Sequence, residues 1–300
     1  DEEIKKDICN SNPYKNWNRN ITNLPEIYDE EPKDEVSDKN LISKLQSFGY
    51  TTETMQFMLL PLVSELRDPL GSMGNDAALA CLSDKPRLLF DYFKQLFAQV
   101  TNPPIDSIRE EVIMSLECLI GPEGNLVENN PLNAERLRLK TPIISNAELN
   151  SIKEIDANQW KTKVVDLVYK KSTGVEGMLE RLDEVCKESE QAMEDGFSFL
   201  VLSDKNVNSE NIALSSFLAC STVHHYLVKA QKRTRIGIII ESGEAREVHH
   251  HCLLFGYGAD AVNPYLAFES IWKAKKDGLL DDEKLTRYED IIGAYKKGTK

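Results

Sequence analysis

The sequence RIGIIIES, residues 235–242, is the clearest strand signal in the chain. Its consecutive β-branched residues lack the polar alternation of a strand with one wet face, so they predict a strand that is buried on both faces. Helices are predicted on either side of it, over residues 212–230 and 248–255, because apolar side chains recur there at helical spacing. This stretch therefore predicts one β-α unit of a parallel sheet.

The same alternation of strand and helix continues in both directions along the chain. Further strands are predicted in KVVDLVY (163–169), FSFLVLSD (197–204) and DAVNPY (260–265), with helices between Met178 and Met193 and over 267–275. Right-handed crossovers force such a run into a parallel sheet with helices outside it. We predict four β-α units over residues 159–276, forming either half of a barrel or an open sheet.

The rest of the chain is less regular. Residues 1–38 predict a polar, acidic surface arm, and residues 277–300 predict a tail. Residues 39–158 predict a helix- and loop-rich part, with a helix that ends at Gly49, a second helix bent at Pro61, and a strong helix over 85–100. The predicted fold class is α/β, with parallel β-α units in the C-terminal half and a mixed N-terminal part.

Charge and cysteine usage exclude several classes of function. The formal net charge is −13, which would repel phosphate backbones and anionic membrane surfaces, so we expect neither nucleic acid nor membrane as a partner. The six cysteines form no closely spaced pair, which argues against an iron–sulfur site. We expect reduced thiols, a cytoplasmic location and no cofactor or metal held by this chain.

The polar stretch ESGEAREVHHH, residues 241–251, follows the predicted strand. Loops at the carboxyl ends of parallel strands carry the catalytic groups of many α/β enzymes, which makes several side chains candidates: Glu241, Ser242, Glu244, Arg246, His249 and His250. Three contiguous histidines diverge by roughly 100° each on a helix and cannot all bind one metal. Hydrogen bonding to neighbouring backbone is the structural alternative.

Two loop segments carry further candidates. The first segment, GSMGND at residues 71–76, could cradle a ligand through its backbone amides, or it could make only a tight turn. In QVTNPPID, two prolines restrict the preceding residues, so Thr101 and Asn102 point in a defined direction, which suits lining a passage or an ordinary helix exit. The residues of GSMGND are Gly71, Ser72, Met73, Gly74, Asn75 and Asp76.

Three long motifs together resemble the central domain of the glutamate synthase large subunit. They are DPLGSMGNDAALACLSDKPRLLFDYFKQLFAQVTNPPIDSIREE (68–111), the MSLECLIGPEGNL stretch that follows, and IIESGEAREVHHHCLLFGYGADAVNPYLAFES (239–270). The resemblance implies a parent enzyme that hydrolyses glutamine, passes ammonia internally, and converts 2-oxoglutarate to glutamate on FMN beside an iron–sulfur cluster. It also implies a nicotinamide or ferredoxin electron donor, without deciding between NADH, NADPH and ferredoxin.

For this segment, the resemblance implies a non-catalytic connecting domain, excised from the glutaminase and FMN-binding domains that would be its partners. Thr101 and Asn102 are then expected to face the ammonia channel, and residues 71–76 to contact a neighbouring domain. No catalytic, cofactor-binding or metal residue is expected. The alternatives are a stand-alone β/α barrel-like enzyme that uses Glu241, His249 and His250, or an oligomerisation module.

Overall fold

The computed structural model describes residues 1–25, 38–69, 79–94, 105–106, 108–109, 113–125, 127–157, 160–280 and 283–300. The α-helices in these ranges are α1 (Glu2–Asn10), α2 (Tyr14–Trp17), α3 (Asp38–Ser47), α4 (Leu60–Glu65), α5 (Asn146–Lys153), α6 (Gly174–Glu194), α7 (Ser216–Lys229), α8 (Val248–Gly256), α9 (Tyr265–Lys276) and α10 (Tyr288–Thr299). The strands are β1 (Thr22–Asn23), β2 (Cys118–Ile120), β3 (Leu137–Leu139), β4 (Asp156–Ala157), β5 (Trp160–Asp166), β6 (Val168–Lys170), β7 (Phe199–Ser203), β8 (Asn211–Ala213), β9 (Gly237–Glu241) and β10 (Ala261–Asn263).

The main sheet has the strand order β10-β9-β7-β5-β4. Its first four strands are mutually parallel, and β4 is antiparallel to β5. Each parallel strand pairs with the next one along the chain, so the crossover helices fall on one face of the sheet. The predicted α/β class and parallel β-α units are confirmed.

The two faces of the sheet belong to different cores. Leu200 and Leu202 of β7 pack with helices α6 to α10, whereas Phe199 and Val201 pack on the other side with β2, β3 and α5. Side chains alternate along a strand, so a continuous apolar run supplies both cores at once. The run at β9 divides in the same way, with Ile239 on the β3 side.

The prediction of a single strand over residues 163–169 is wrong, because the structure has two strands there, β5 and β6. β5 ends at Asp166, and β6 pairs instead with β8 in a separate antiparallel sheet. Between them Leu167 is buried, donates its N–H to the Ser203 carbonyl and accepts from the Leu214 N–H. The chain thus changes sheets at Leu167, and the helix predicted from 212 begins only at α7, after β8.

The prediction of a helix over residues 85–100 is also wrong for the part of that range that the structure describes. Within its described part, residues 89–93 form a short 3-10 turn, with extended backbone at Leu88 and Lys94. Pro86 disfavours helical geometry in the residue before it, Lys85, where the predicted helix would begin. Phe90 is fully buried while Tyr92 is half exposed, so the apolar run does not form one helix face.

The N-terminal helices follow the sequence prediction more closely. α3 is followed by Gly49 in left-handed geometry, with φ of 69°. A π-helical segment, Thr54–Leu59, directly precedes α4, whose first turn contains Pro61. In the acidic arm, β1 pairs in parallel with β3. Among the residues described, no helix is long and apolar enough to cross a membrane.

Candidate functional site

The polar groups of interest lie at the carboxyl edge of the parallel strands. β7, β9 and β10 end at Ser203, Glu241 and Asn263, and parallel pairing brings these ends to one edge. This edge is where open α/β sheets and barrels place their ligands. It is therefore the candidate functional site of the described chain.

Glu241 is almost completely buried and is held by three donors. Its Oε2 accepts hydrogen bonds from Ser203 Oγ and from Lys153 Nζ of α5, each at 2.7 Å, and Lys205 Nζ lies 3.4 Å from Oε1. Burial alone would raise the pKa of Glu241, but the Lys153 and Lys205 ammonium groups and the Ser203 hydroxyl bring it below the usual value. Glu241 thus remains ionised and ties β9 to the layer on the β3 side.

Arg246 contacts the residues that follow the N-terminal helix α3. Its guanidinium donates to the carbonyl oxygens of Phe48 at 2.8 Å and Gly49 at 2.9 Å, and it lies 4.3 Å from the centre of the Tyr50 ring. These carbonyls lie at the carboxyl end of α3, where a helix carries partial negative charge. Arg246 therefore fastens α3 to the strand-end loop.

Two buried carboxyl groups flank this loop. Asp204 accepts the Gly243 N–H at 2.8 Å and the Tyr265 hydroxyl at 3.0 Å. Burial, reinforced by the Glu244 carboxylate, raises the pKa of Asp204 to about 8. The carboxylate of Glu244 accepts the Ser216 N–H at 2.8 Å in the first turn of α7, and burial raises its pKa as well.

The three histidines of α8 have three different surroundings. His249 Nε2 lies 3.1 Å from the Phe90 carbonyl oxygen. The buried His250 ring stacks on the Phe90 ring at 4.4 Å, and neither of its nitrogens has a hydrogen-bond partner in the described part of the chain. Burial, and next the Arg246 guanidinium, hold the pKa of His250 well below its usual range. His250 is therefore a neutral imidazole.

The third histidine joins α8 to the last helix. His251 Nε2 lies 2.8 Å from the Tyr295 hydroxyl, which donates to the Arg246 carbonyl oxygen at 3.0 Å. Since that hydroxyl proton is used on the carbonyl, His251 Nε2 must be the donor to Tyr295. Burial lowers the pKa of His251 to about 3, so this tautomer is neutral at ordinary pH.

The predicted strand-end residues do not converge on one point. Glu241 turns to two lysines, Arg246 to the end of α3, and His249 and His250 to Phe90. Within the described residues, no group of three potential ligands could hold a metal ion. The remaining predicted residues lie outside the described ranges: Gly71, Ser72, Met73, Gly74, Asn75, Asp76, Thr101 and Asn102.

Asp204 and Tyr265 also belong to this edge and were not predicted as members of it. The available signal was their position, because each is the last residue of a predicted strand segment. This arrangement braces loops, because most of its charged groups form hydrogen bonds or ion pairs with each other or with backbone atoms. Hydrogen bonds run from the strand ends and the loop that follows them to α3, α5, α7 and α10, so this edge is joined to four helices.

Comparison with known proteins gives one consistent result. A family model described as the glutamate synthase central domain matches residues 43–300. The chain is 44% identical to a glutamate synthase [NADH] of Schizosaccharomyces pombe over 97% of the chain and 15% of that protein. It is 42% identical to the glutamate synthase [NADPH] large chain of Bacillus subtilis, over 99% of the chain and 19% of that protein.

A plant relative matches at a lower level. The chain is 36% identical to a chloroplastic ferredoxin-dependent glutamate synthase of Spinacia oleracea, over 89% of the chain and 17% of that protein. The chain thus spans less than a fifth of the length of these relatives.

Proposed function

The chain belongs to the glutamate synthase central domain family, and from that premise we propose that it is a non-catalytic connecting domain within a glutamate synthase. In this role it holds the glutaminase and FMN-binding domains of the same parent chain in fixed relation. The parent reaction converts glutamine, 2-oxoglutarate and a reductant to two glutamate. FMN and the iron–sulfur cluster reside in the partner domains, and relatives are named for NADH, NADPH or ferredoxin as donor.

The observation that carries this proposal is the bracing of the carboxyl edge. Glu241 accepts from Lys153 on one side of the sheet, and Arg246 donates to the end of α3 on the other. Charge-assisted hydrogen bonds of this kind are the strong ones, and together they join three layers of the molecule. Such a scaffold suits a domain whose task is to keep two active sites at a constant separation.

We further propose that Thr101 and Asn102 line the passage for ammonia. Ammonia must stay unprotonated and out of bulk water while it moves, so the wall needs fixed polar groups and exclusion of solvent. This proposal is supported by the family motif that contains both residues and by the position of the chain just before that motif. Lys94, five residues before Gln99, forms an ion pair of 3.6 Å with Glu247 beside the carboxyl edge.

The stand-alone enzyme alternative draws on Glu241, His249 and His250. Glu241 is engaged with Lys153 and Lys205, whereas both histidines contact Phe90. The three side chains share no common partner in the described structure. The bracing function therefore accounts for more of the observed contacts.

The channel proposal is tested by Asn102→Ala in the full glutamate synthase. We expect glutamine to be hydrolysed in excess of glutamate formed, by roughly twofold or more, because a misplaced wall releases ammonia to solvent. Free ammonium, consumed glutamine and synthesised glutamate are measured together. Asn150→Ala, which changes an exposed asparagine of α5, is the matched control. An unchanged ratio of hydrolysis to synthesis in Asn102→Ala would remove this residue from the passage.

A further inference from the structure

A small cavity lies at the amino edge of the main sheet, where the parallel strands begin. Trp160, the first residue of β5, lines it together with Phe197 and Arg235, which precede β7 and β9 by two residues each. The cavity volume is about 260 Å³. Sites for drug-sized ligands span roughly 300–1,000 Å³, so this cavity suits a smaller molecule.

Most of the cavity lining is apolar and well packed. Trp160 and Met193 are less than a tenth exposed. The Trp160 ring meets the Phe199 ring of β7 edge to face, with ring centroids 6.3 Å apart, which holds the indole in place. Such a lining binds an aromatic or aliphatic group by removing its surface from water. The remaining apolar residues of the lining are Pro122, Leu132 and Phe197.

Backbone hydrogen bonds fix the walls of the cavity relative to one another. The Gly237 N–H donates to the Ser198 carbonyl oxygen at 2.9 Å, which joins the segment before β9 to the segment before β7. The carbonyl oxygen of Thr234, next to Arg235, accepts from the Glu123 N–H at 2.7 Å. The walls are therefore largely pre-formed, and this lowers the entropic cost of binding a ligand.

Two charged side chains of opposite sign complete the lining. Glu135 is half-buried and Arg235 is exposed. Neither side chain forms an ion pair or a hydrogen bond with the other, or with any further residue in the ranges that the structure describes. Arg136, the next residue, donates to the Leu119 carbonyl oxygen at 2.7 Å, which fixes the backbone that carries Glu135. One apolar cavity thus offers a charged acceptor and a charged donor.

These features define the chemistry of the ligand. A guanidinium matches a carboxylate through two parallel hydrogen bonds, and a carboxylate accepts from an ammonium group. A ligand with a single charge would leave either Glu135 or Arg235 without a partner. A dicarboxylate would bring a second anion against apolar side chains, which is costly in solvation. Apolar α-amino acids carry both charges and an apolar group within a few bonds.

We propose that this cavity binds a zwitterionic, apolar α-amino acid. Arg235 holds its carboxylate, Glu135 holds its ammonium group, and Trp160 and Phe197 contact its side chain. Because Glu135 lies just before β3 and Arg235 just before β9, the bound amino acid joins the β2–β3 layer to the main sheet. The site lies at the edge opposite to the braced one, so the proposal goes beyond the connecting role and does not depend on it.

Four compounds separate the three contacts. L-phenylalanine has the carboxylate, the ammonium group and the ring, whereas 3-phenylpropionate lacks the ammonium group, phenethylamine lacks the carboxylate, and L-alanine lacks the ring. Isothermal titration calorimetry with the 300-residue chain measures each affinity. We expect a dissociation constant on the order of 1 mM or below for L-phenylalanine, as a ligand of this size allows. The other three compounds should bind about tenfold more weakly.

Two variants test the assignment of each charge. In Arg235→Gln, L-phenylalanine and 3-phenylpropionate should bind about tenfold more weakly, while phenethylamine keeps its affinity or gains some. In Glu135→Gln, L-phenylalanine and phenethylamine should weaken to the same extent, while 3-phenylpropionate does not. General damage to the fold would weaken every compound alike. Arg67→Gln and Glu210→Gln, which remove exposed charges elsewhere, are the matched controls and should bind like the wild type.

The wild-type affinities alone decide the case if a variant fails to fold. No detectable binding of L-phenylalanine would overturn the proposal. Equal affinity for L-phenylalanine, 3-phenylpropionate and phenethylamine would overturn it as well, because the two charges would then contribute nothing. The same conclusion follows if Arg235→Gln and Glu135→Gln unfold at the wild-type temperature and bind all four compounds like the wild type.

Discussion

Individual buried residues at the carboxyl edge carry opposite pH dependences. Asp204 has a pKa raised to about 8, and His251 has one lowered to about 3. Folding therefore takes up a proton at Asp204 between its unfolded and folded pKa values, whereas it releases one from His251. Each group gives a separate, signed contribution to stability.

For Asp204, the folded pKa lies above the unfolded value of 3.8. Its stabilising contribution is complete below pH 3.8 and is lost as pH rises through 8. Asp204→Asn removes this titration and keeps an acceptor for the Gly243 N–H. We expect the variant to be more stable than the wild type at pH 8, on the order of 5 kcal/mol, with little difference at pH 4.

Urea unfolding at pH 4, 6 and 8 measures this difference. Asp7→Asn, in the exposed arm, serves as the control because it also removes a carboxylate. A stability difference that stays constant from pH 4 to pH 8 would contradict the assignment of a raised pKa to Asp204.

For His251, the sign is reversed. The unfolded imidazole binds a proton below pH 6.5 and the folded one only near pH 3, so stability falls as pH falls between these values. The loss should reach about 2 kcal/mol at pH 5. His251→Gln keeps a donor for Tyr295 and should flatten this acid limb in thermal unfolding followed by circular dichroism. An equally steep limb in the variant would assign it to other groups.

Among the elements, α5 and α10 are linked by a buried ion pair. Lys296 Nζ of α10 lies 2.7 Å from Glu148 Oε2, and both side chains are less than a tenth exposed. Glu148 also accepts the Ser145 N–H at 2.6 Å as part of the capping box of α5. One carboxylate therefore both starts α5 and joins it to α10.

Lys296→Met tests this link. The substitution leaves the buried Glu148 carboxylate without the ammonium, and we expect a loss of about 3 kcal/mol. Lys297→Met, at the exposed next position of α10, should change stability by less than about 0.5 kcal/mol. Chemical denaturation of both variants gives the comparison, and equal effects would show that the ion pair contributes little.

The elements also show what the sequence can predict. The strand β9 was predicted because its unbroken apolar run is typical of a strand buried on both faces, and β7 and β10 were predicted from the alternation of short strands with helices. Two other features were not predicted, because both are imposed by tertiary partners. The 3-10 turn at Phe90 depends on the α8 histidines, and the change of sheet at Leu167 depends on β7 and Leu214. For the same reason the strand-end position of Arg246 was predictable and its partners, the carbonyls of Phe48 and Gly49, were not.

At the scale of the whole molecule, α10 closes the structure by packing on α4. Gly298 faces the backbone of Leu62, and a Cβ added there would lie 2.4 Å from the Leu62 carbonyl oxygen. This approach leaves no room for a side chain. The N-terminal layer and the last helix of the sheet region are therefore in direct backbone contact.

Gly298→Ala should destabilise the protein by about 2 kcal/mol or more, because α10 must move away from α4. A Cβ added to Gly293, on the same helix, would meet no described atom within 4 Å beyond its chain neighbours and the backbone of its own helix. Gly293→Ala should therefore be neutral or stabilising, by up to about 1 kcal/mol. Differential scanning calorimetry of the two variants measures the contrast, and a comparable loss in both would refute the close approach.

The sequential strand order has a consequence for how the chain is made. Each parallel strand pairs with the one that precedes it, so the sheet can lengthen unit by unit as a ribosome delivers the chain from its amino terminus. The layer that contains α4 cannot be completed in that way, because its partner α10 follows β10 in the chain. Leu62 therefore stays exposed while the entire sheet is synthesised. It becomes buried only when α10 packs on α4.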